Sequence, residues 1–246
     1  MGIYSNFFRF FDARIKYITD LNRYKKYTEE KNEIFKYNKK NINRQLYDRY
    51  ENAGSLDAHY FLQDLYVANC IINDNTKVHY DIGSRIDGFL AHLLSADILV
   101  YMIDIRPLDV DINNLKFIKG NATDLNGIAD GTIDSLSSLH ALEHFGLGRY
   151  GDQIDPQGWN KALNEYARIL KKNGVLYLSV PIGYENKLCF NAHRIFYPKT
   201  IVEAISSLKL EEFVYIKNMK LIVCDDYNKY DEKEDYLCGI FKFTKI

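Results

Sequence analysis

The sequence is poor in residues that staple or break a chain. Its 246 residues include four cysteines, four prolines, three methionines and one tryptophan. Cys70, Cys189, Cys224 and Cys238 lie far apart, with no C-x-x-C spacing. That pattern argues against a disulfide framework or a zinc ribbon, and four reduced thiols are expected. No run of about 18 apolar residues occurs, so no integral membrane segment is expected. Arg9, Asp12 and Arg14 interrupt the aromatic N-terminal stretch, so no secretory signal is read there and the cytoplasm is the expected compartment. Net charge is close to zero, with 32 Lys and Arg against 33 Asp and Glu. A protein built on nucleic-acid backbones is therefore not expected. No internal repeat or low-complexity segment stands out.

Aromatic side chains are abundant, with 20 Tyr and 14 Phe, and charge is unevenly spread. Residues 1–50 hold 12 basic and 6 acidic side chains, a net of +6, which leaves 20 and 27, a net of −7, for the other 196. Phe7, Phe11, Ile15, Ile18 and Leu21 recur at helical spacing and predict an amphipathic helix. Residues 22–50 carry sparser apolar anchors and read as a second helix or a lid. This basic segment admits three readings: a solvated helical appendage, a cap over a site for an anionic substrate, or a membrane-surface element. The break at Gly54-Ser55-Leu56-Asp57 separates an appendage, 1–54, from a main domain, 55–246. Ser55 is a candidate cap for a helix over 56–72, with Phe61, Leu62, Leu65, Val67, Ala68 and Ile71 as its buried positions.

From Lys77 the pattern alternates strand and helix, which predicts a parallel sheet covered on both faces. Strands are expected at Val78–Ile82, Ile98–Ile103, Leu115–Ile118, Thr132–Ser138 and Val175–Val180. Helices are expected from about Gly88, over Pro156–Lys171 and over Lys199–Leu208. Two later strands, Leu210–Ile216 and Tyr236–Thr244, flank an acidic, Tyr-rich excursion.

The first strand stops at Gly83, and a second glycine, Gly88, opens the following helix. A tight strand-to-helix turn presents backbone N–H groups at a sheet edge and suits an anionic or nucleotide-like ligand. A dinucleotide fingerprint would need glycine at 85, where Arg85 stands. Asp104, 21 residues beyond Gly83, closes the second strand where a carboxylate can accept from two ribose hydroxyls. Asn121-Ala122-Thr123-Asp124 follows the third strand, where Asp124 can accept from an exocyclic amine. Together these favour a nucleoside without a pyrophosphate, and S-adenosylmethionine fits, with Arg85 as a partner for its carboxylate. Each residue also has a plainer reading as a turn or cap.

Leu139-His140-Ala141-Leu142-Glu143-His144 follows the fourth strand. H-x-x-E-H matches an inverted zinc-protease pattern, which needs a continuous helix and a third ligand. Within an α/β chain the alternative is a base for proton removal: His144 first, then His193, then His140, with Glu143 as an orienting carboxylate. The plain alternative is that the loop only shapes a pocket. Arg149, Tyr150 and Asp155, in a glycine-rich polar loop, and Arg194 are candidate substrate contacts.

Taken together, the acidic-x-Gly turn, Asp104, Asn121–Asp124, the Leu-Glu-His tail and Ala167–Pro181 resemble class I S-adenosylmethionine-dependent methyltransferases. Lys172-Asn173-Gly174 stands where a Pro-Gly-Gly turn is usual. A closer resemblance is to an uncharacterised bacterial and nematode domain family. It is carried by His59–Leu65, Asp81–Phe89, Asp104–Leu108, His140–Gly151 and Asn191–Phe196. The resemblance implies a Rossmann-like α/β fold with a central, mostly parallel seven-stranded sheet. It implies S-adenosyl-L-methionine as cofactor and S-adenosyl-L-homocysteine as product, held by Asp81, Gly83, Ser84, Arg85, Asp104, Ile105, Ala122, Thr123, Asp124 and His140, with no metal. Because bacterial members are often encoded among surface-polysaccharide genes, it also implies O-methylation of a nucleotide-activated sugar, glycan or phosphate-linked capsule precursor. A homodimer is the assembly to test for. Two other classes remain open: a cofactor-binding regulator without chemistry, and a zinc hydrolase.

Overall fold

A computed structural model describes residues 2–31, 35, 37–50 and 58–246. It divides into two compact units, Met1–Leu56 and Asp57–Ile246. In the first, one helix, α1 (Gly2–Lys31), is followed by two short 3-10 turns, Lys39–Asn41 and Asp48–Tyr50. The returning segment is tied to the helix by Tyr50 Oη donating to Asp12 and by an Arg49–Asp20 ion pair. The helix predicted over Phe7–Leu21 thus runs on through Lys31, and the described part of 32–50 holds only 3-10 turns. The proposed Ser55 cap lies outside the described residues.

The second unit opens with α2 (Ala58–Asn73) and β1 (Val78–Ile82). A π-helical turn, Ile86–Leu90, then leads into the short α3 (Ala91–Ser95). The chain continues through β2 (Leu99–Asp104), β3 (Leu115–Lys119), β4 (Ile133–Leu139), α4 (Gly158–Ile169) and β5 (Leu170–Ile182). A small hairpin follows, β6 (Lys187–Cys189) with β7 (His193–Ile195), then α5 (Pro198–Ala204), β8 (Leu208–Lys217), β9 (Lys220–Val223) and β10 (Leu237–Lys245). The main sheet has eight strands, ordered β3-β2-β1-β4-β5-β10-β8-β9. The first five pair in parallel, and β10 runs antiparallel to both β5 and β8. Seven strands were expected. The eighth, β9, is a four-residue return that folds back on β8 directly after a two-residue turn at Asn218 and Met219, both at positive φ.

Alternation along β5 shows why the sheet is covered on both faces. Leu176, Leu178, Val180 and Ile182 pack with Leu163 and Tyr166 of α4. Tyr177 belongs to the other layer, with Val67 and Ile71 of α2 and Phe89 and Leu93 beyond β1. On α2 the buried stripe is Gln63, Val67, Ala68 and Ile71, whereas Phe61 and Leu65 are exposed. Helical spacing had assigned those two to the core; the stripe at i, i+4 and i+8 instead begins with a polar residue.

Candidate active site

Strand order reverses between β1 and β4, and a cleft of about 840 Å³ lies at the carboxyl ends of β1, β2 and β4. This is where open α/β sheets place ligands. Its walls come from Gly83, Asp104–Arg106, Gly120–Thr123, His140–Ala141 and the loop after His144.

Gly83 sits at φ +72°, and a β-carbon there would meet Ala141 Cβ at 3.1 Å. Both constraints favour glycine and keep backbone at the cleft wall. Asp81 lies beneath this turn rather than in the cleft. It is fully buried and accepts from Ser84 N at 3.0 Å, Ser84 Oγ at 2.6 Å and Ser137 Oγ. Burial raises its carboxyl to about 6, against the pull of those donors. Ser84 is likewise turned to Asp81. Arg85 is exposed, paired with Asp87 at 3.0 Å and placed over the Tyr60 ring at 5.4 Å. These three residues build the turn and lie outside the cleft lining.

Asp104 does line the cleft, beside Ile105. Burial pushes its carboxyl up, but hydrogen bonds from Arg106 Nε at 3.0 Å, Nη2 at 2.6 Å and the Arg106 backbone N–H at 2.8 Å outweigh it. The group is held below the usual carboxylate range. Arg106 in turn stacks on Tyr150 at 4.5 Å. Ala122 and Thr123 line the cleft; Asp124 is exposed outside it. Asn121, not singled out from sequence, takes the place beside them, and its Oδ1 accepts from Thr123 N and Oγ. Its signal in the sequence is its place at the head of the same motif, just after the third strand.

The His-x-x-Glu-His stretch is not a helix. His140 ends the strand at φ +50°, and Leu142–His144 forms one 3-10 turn. The inverted zinc motif therefore lacks its continuous helix. Among the described residues no group of three or more His, Cys, Asp or Glu is arranged to hold a metal. His140 is buried yet lines the cleft, and burial lowers its imidazole to about 3. Its Nδ1 meets Gln63 Oε1 at 2.6 Å, while Nε2 has no hydrogen-bond partner. His144 Nδ1 donates to the Ala192 carbonyl at 2.7 Å, and its Nε2 lies 3.6 Å from Glu143. Burial lowers His144 to about 4 and raises Glu143 to about 8. Glu143 Oε2 is buried without a partner, and the residue lies outside the cleft lining.

His193, on β7, packs edge-on against Tyr236, which also stacks on the ring of His59. Burial, then the nearby Arg149, lowers the His193 imidazole. Arg149 donates to the Ala192 carbonyl at 2.9 Å, and Tyr150 meets His144 edge-on. Asp155 lines the cleft and binds Lys161 at 2.6 Å. Arg194 is spent on backbone: it donates to the Phe145 carbonyl at 2.7 Å, which ties the hairpin to the loop after β4. Asp152 organises that loop by accepting from the N–H groups of Gly146, Gly148 and Tyr150.

Residues 118–236 match the model of a family described as a Caenorhabditis protein of unknown function. No curated protein matches the chain. Among solved structures, the 4+2 cyclase SpnF superposes with a TM-score of 0.55 at 15% identity, covering 75% of this chain and 80% of its own. The 1,6-didemethyltoxoflavin N1-methyltransferase of Burkholderia thailandensis, with bound S-adenosylhomocysteine, gives 0.51 at 14% identity, covering 79% and 93%. The N-methyltransferase NodS of Bradyrhizobium japonicum, also with S-adenosylhomocysteine, gives 0.51 at 10%, covering 75% and 86%. Those likenesses establish the architecture: the chain has the Rossmann-like α/β fold found in class I methyltransferases.

Proposed function

We propose that the protein is an S-adenosylmethionine-dependent methyltransferase. The observation that supports this most directly is the convergence of the Gly83 backbone, the ionised Asp104 carboxylate and the Asn121–Thr123 loop on one cleft at the strand-order reversal. These groups fit a nucleoside: a carboxylate for ribose hydroxyls, an amide-bearing loop for a base edge, and a turn where a β-carbon would crowd Ala141. Bound S-adenosylmethionine would supply a methyl group on a positively charged sulfur, open to displacement by an acceptor lone pair.

The chain's own task is then placement. Neutral imidazoles at His140 and His144 add no positive charge of their own to the neighbourhood at neutral pH. We assign the acceptor to a hydroxyl of a sugar or glycan precursor. The resemblance read from the sequence supports this, as does Tyr150, an aromatic group in the cleft lining suited to stacking on a sugar ring. The appendage 1–54, cytoplasmic location and a homodimer belong to the same reading.

Calorimetry with S-adenosylmethionine tests the cofactor, followed by release of S-adenosylhomocysteine over a panel of sugar nucleotides. Asp104→Asn is expected to weaken cofactor binding by about tenfold, the scale of a lost hydrogen bond to a charged group. Tight binding with no turnover across hydroxyl, amine and thiol acceptors would favour the second reading, a cofactor-binding protein without methyl transfer. The cyclase neighbour keeps that reading open, since a fold does not fix its chemistry.

A further inference from the structure

Gln63 lies on the buried face of α2, 1% exposed, at a position where its helix otherwise presents Val67 and Ile71 to the sheet. An uncharged amide in such a place must satisfy its donors and acceptor. Its Nε2 donates to Asp64 Oδ1 at 2.9 Å. A carboxylate accepts and does not donate, so this contact fixes the NH2 end of the amide toward Asp64 and turns Oε1 the other way. Three groups converge on Oε1: the Ser179 hydroxyl, the Cys238 thiol at 3.6 Å and His140 Nδ1 at 2.6 Å. Ser179 donates its only proton to Oε1, so its oxygen only accepts: from the His140 backbone N–H at 3.1 Å and, as a second and longer partner than Oε1, from Nδ1 at 3.1 Å. The proton between His140 and Gln63 therefore belongs to Nδ1, and the lone pair of the neutral ring belongs to Nε2. That nitrogen is the buried atom without a partner, on a residue that lines the cleft.

We propose that Gln63 is a positioning residue: it locks His140 in the Nδ1–H form, so that Nε2 accepts a hydrogen bond from the protic group of the methyl acceptor. This rests on the methyltransferase reading and narrows its substrate class. The atom that meets Nε2 must carry a proton, as a hydroxyl or a neutral amine does. An ionised carboxylate or phosphate oxygen would face the lone pair with another lone pair. Asp64 and Ser179 serve the same end, one orienting the amide and the other filling its second acceptor direction.

The test is nitrogen-15 NMR of the full chain with labelled histidine, which reads which ring nitrogen of His140 carries the proton. The wild-type ring is expected to show a protonated Nδ1 and an imine-like Nε2. The opposite tautomer in the wild type overturns the proposal with no variant needed. Gln63→Leu is expected to shift the ring to a mixture of tautomers or to Nε2–H, whereas Gln63→Glu, which keeps an oxygen acceptor, restores Nδ1–H. A leucine variant that folds and keeps Nδ1–H also overturns it. Titration with S-adenosylhomocysteine separates this inference from the reading beneath it. Absence of binding to the wild type removes the methyltransferase reading and leaves the tautomer result standing. With binding, His140→Phe is expected to change the dissociation constant by less than about threefold. A loss of tenfold or more would mean that Nε2 serves the cofactor and not the acceptor, and would overturn the assignment.

Discussion

At the residue scale two buried ionisable groups, Glu143 and His79, are kept neutral by burial. Glu143 is held protonated by burial, with its carboxyl raised to about 8. Between its ordinary value near 4.5 and 8 the folded chain keeps a proton that the unfolded chain has released. The stability from this group is complete below pH 4.5 and is lost as pH rises through 8. Glu143→Gln copies the protonated shape without the titration. We expect the variant to melt with the wild type at pH 5 and at least about 4 °C above it at pH 8.5. Equal melting at both pH values would show that Glu143 ionises freely. His79 carries the opposite slope. It is buried between the hydroxyls of Ser135 and Ser137, 2.8 Å from each, and burial lowers its imidazole to about 3. Its stability is complete above pH 6.5 and is lost as pH falls toward 3. A His79→Gln chain should accordingly lose less stability than the wild type between pH 7 and pH 5, as read by urea midpoints. A wild-type curve flat across that range, with the variant parallel to it, would remove this assignment.

At the element scale the loop after β4 depends on its glycines unequally. Gly146 and Gly151 both have positive φ, at +76° and +86°. A β-carbon on Gly146 would fall 1.9 Å from the Asp155 carbonyl oxygen, whereas one on Gly151 meets nothing within 4 Å. Alanine at 151 therefore meets only the left-handed backbone penalty, about 1–2 kcal/mol. Alanine at 146 also forces the loop off Asp155, which we expect to cost about 3 kcal/mol in urea unfolding and to weaken cofactor binding as well. Equal costs at the two positions would show that backbone strain alone matters.

The same scale shows what sequence could tell. β2 and the later part of β5 were legible because buried parallel strands favour apolar runs, whereas β1 and β4 carry His79, Asp81, Asp134 and three serines and were legible from the strand–helix alternation around them. The hairpin β6–β7 is not legible in the sequence, since three-residue strands carry no period. β5 begins at Leu170, well before Val175, because Leu170 pairs with Ile133 and the ladder resumes at Ser135 and Val175 across an irregularity, and the unpaired Lys171–Gly174 has no strand-like composition to announce it. Gly83 and Asp104, both in the cleft lining, follow from spacing along adjacent strand ends, whereas Thr123 comes only with the family resemblance. Gln63 does neither, because its meaning lies in His140, 77 residues away. The only local hint was an amide at a position spaced four and eight residues before two buried apolar ones.

At the scale of the whole molecule the question is which residues make one cooperative body. The sheet, both packed layers and every cleft residue named above lie within Asp57–Ile246. A chain limited to those residues is expected to unfold in a single transition and to bind S-adenosylhomocysteine within about threefold of the full chain. Loss of binding with an intact transition would instead make residues 1–56 a working part of the site, as a cap over an anionic substrate would be. No helix among the described residues is long and apolar enough to cross a membrane.

The place of β10 between β5 and β8 has a consequence for the order in which the chain is assembled on the ribosome. β8 and β9 emerge first, yet they touch the parallel half of the sheet only through a strand that is translated later. Until Leu237–Lys245 arrives, Phe213 lacks the stacked ring of Phe241, 4.5 Å away in the finished protein, and β5 keeps an open edge. Such a bare edge is the kind of surface on which nascent chains aggregate. The hairpin of β8 and β9 must therefore wait, tethered by the acidic, soluble stretch Asp225–Asp235, for the strand that admits it.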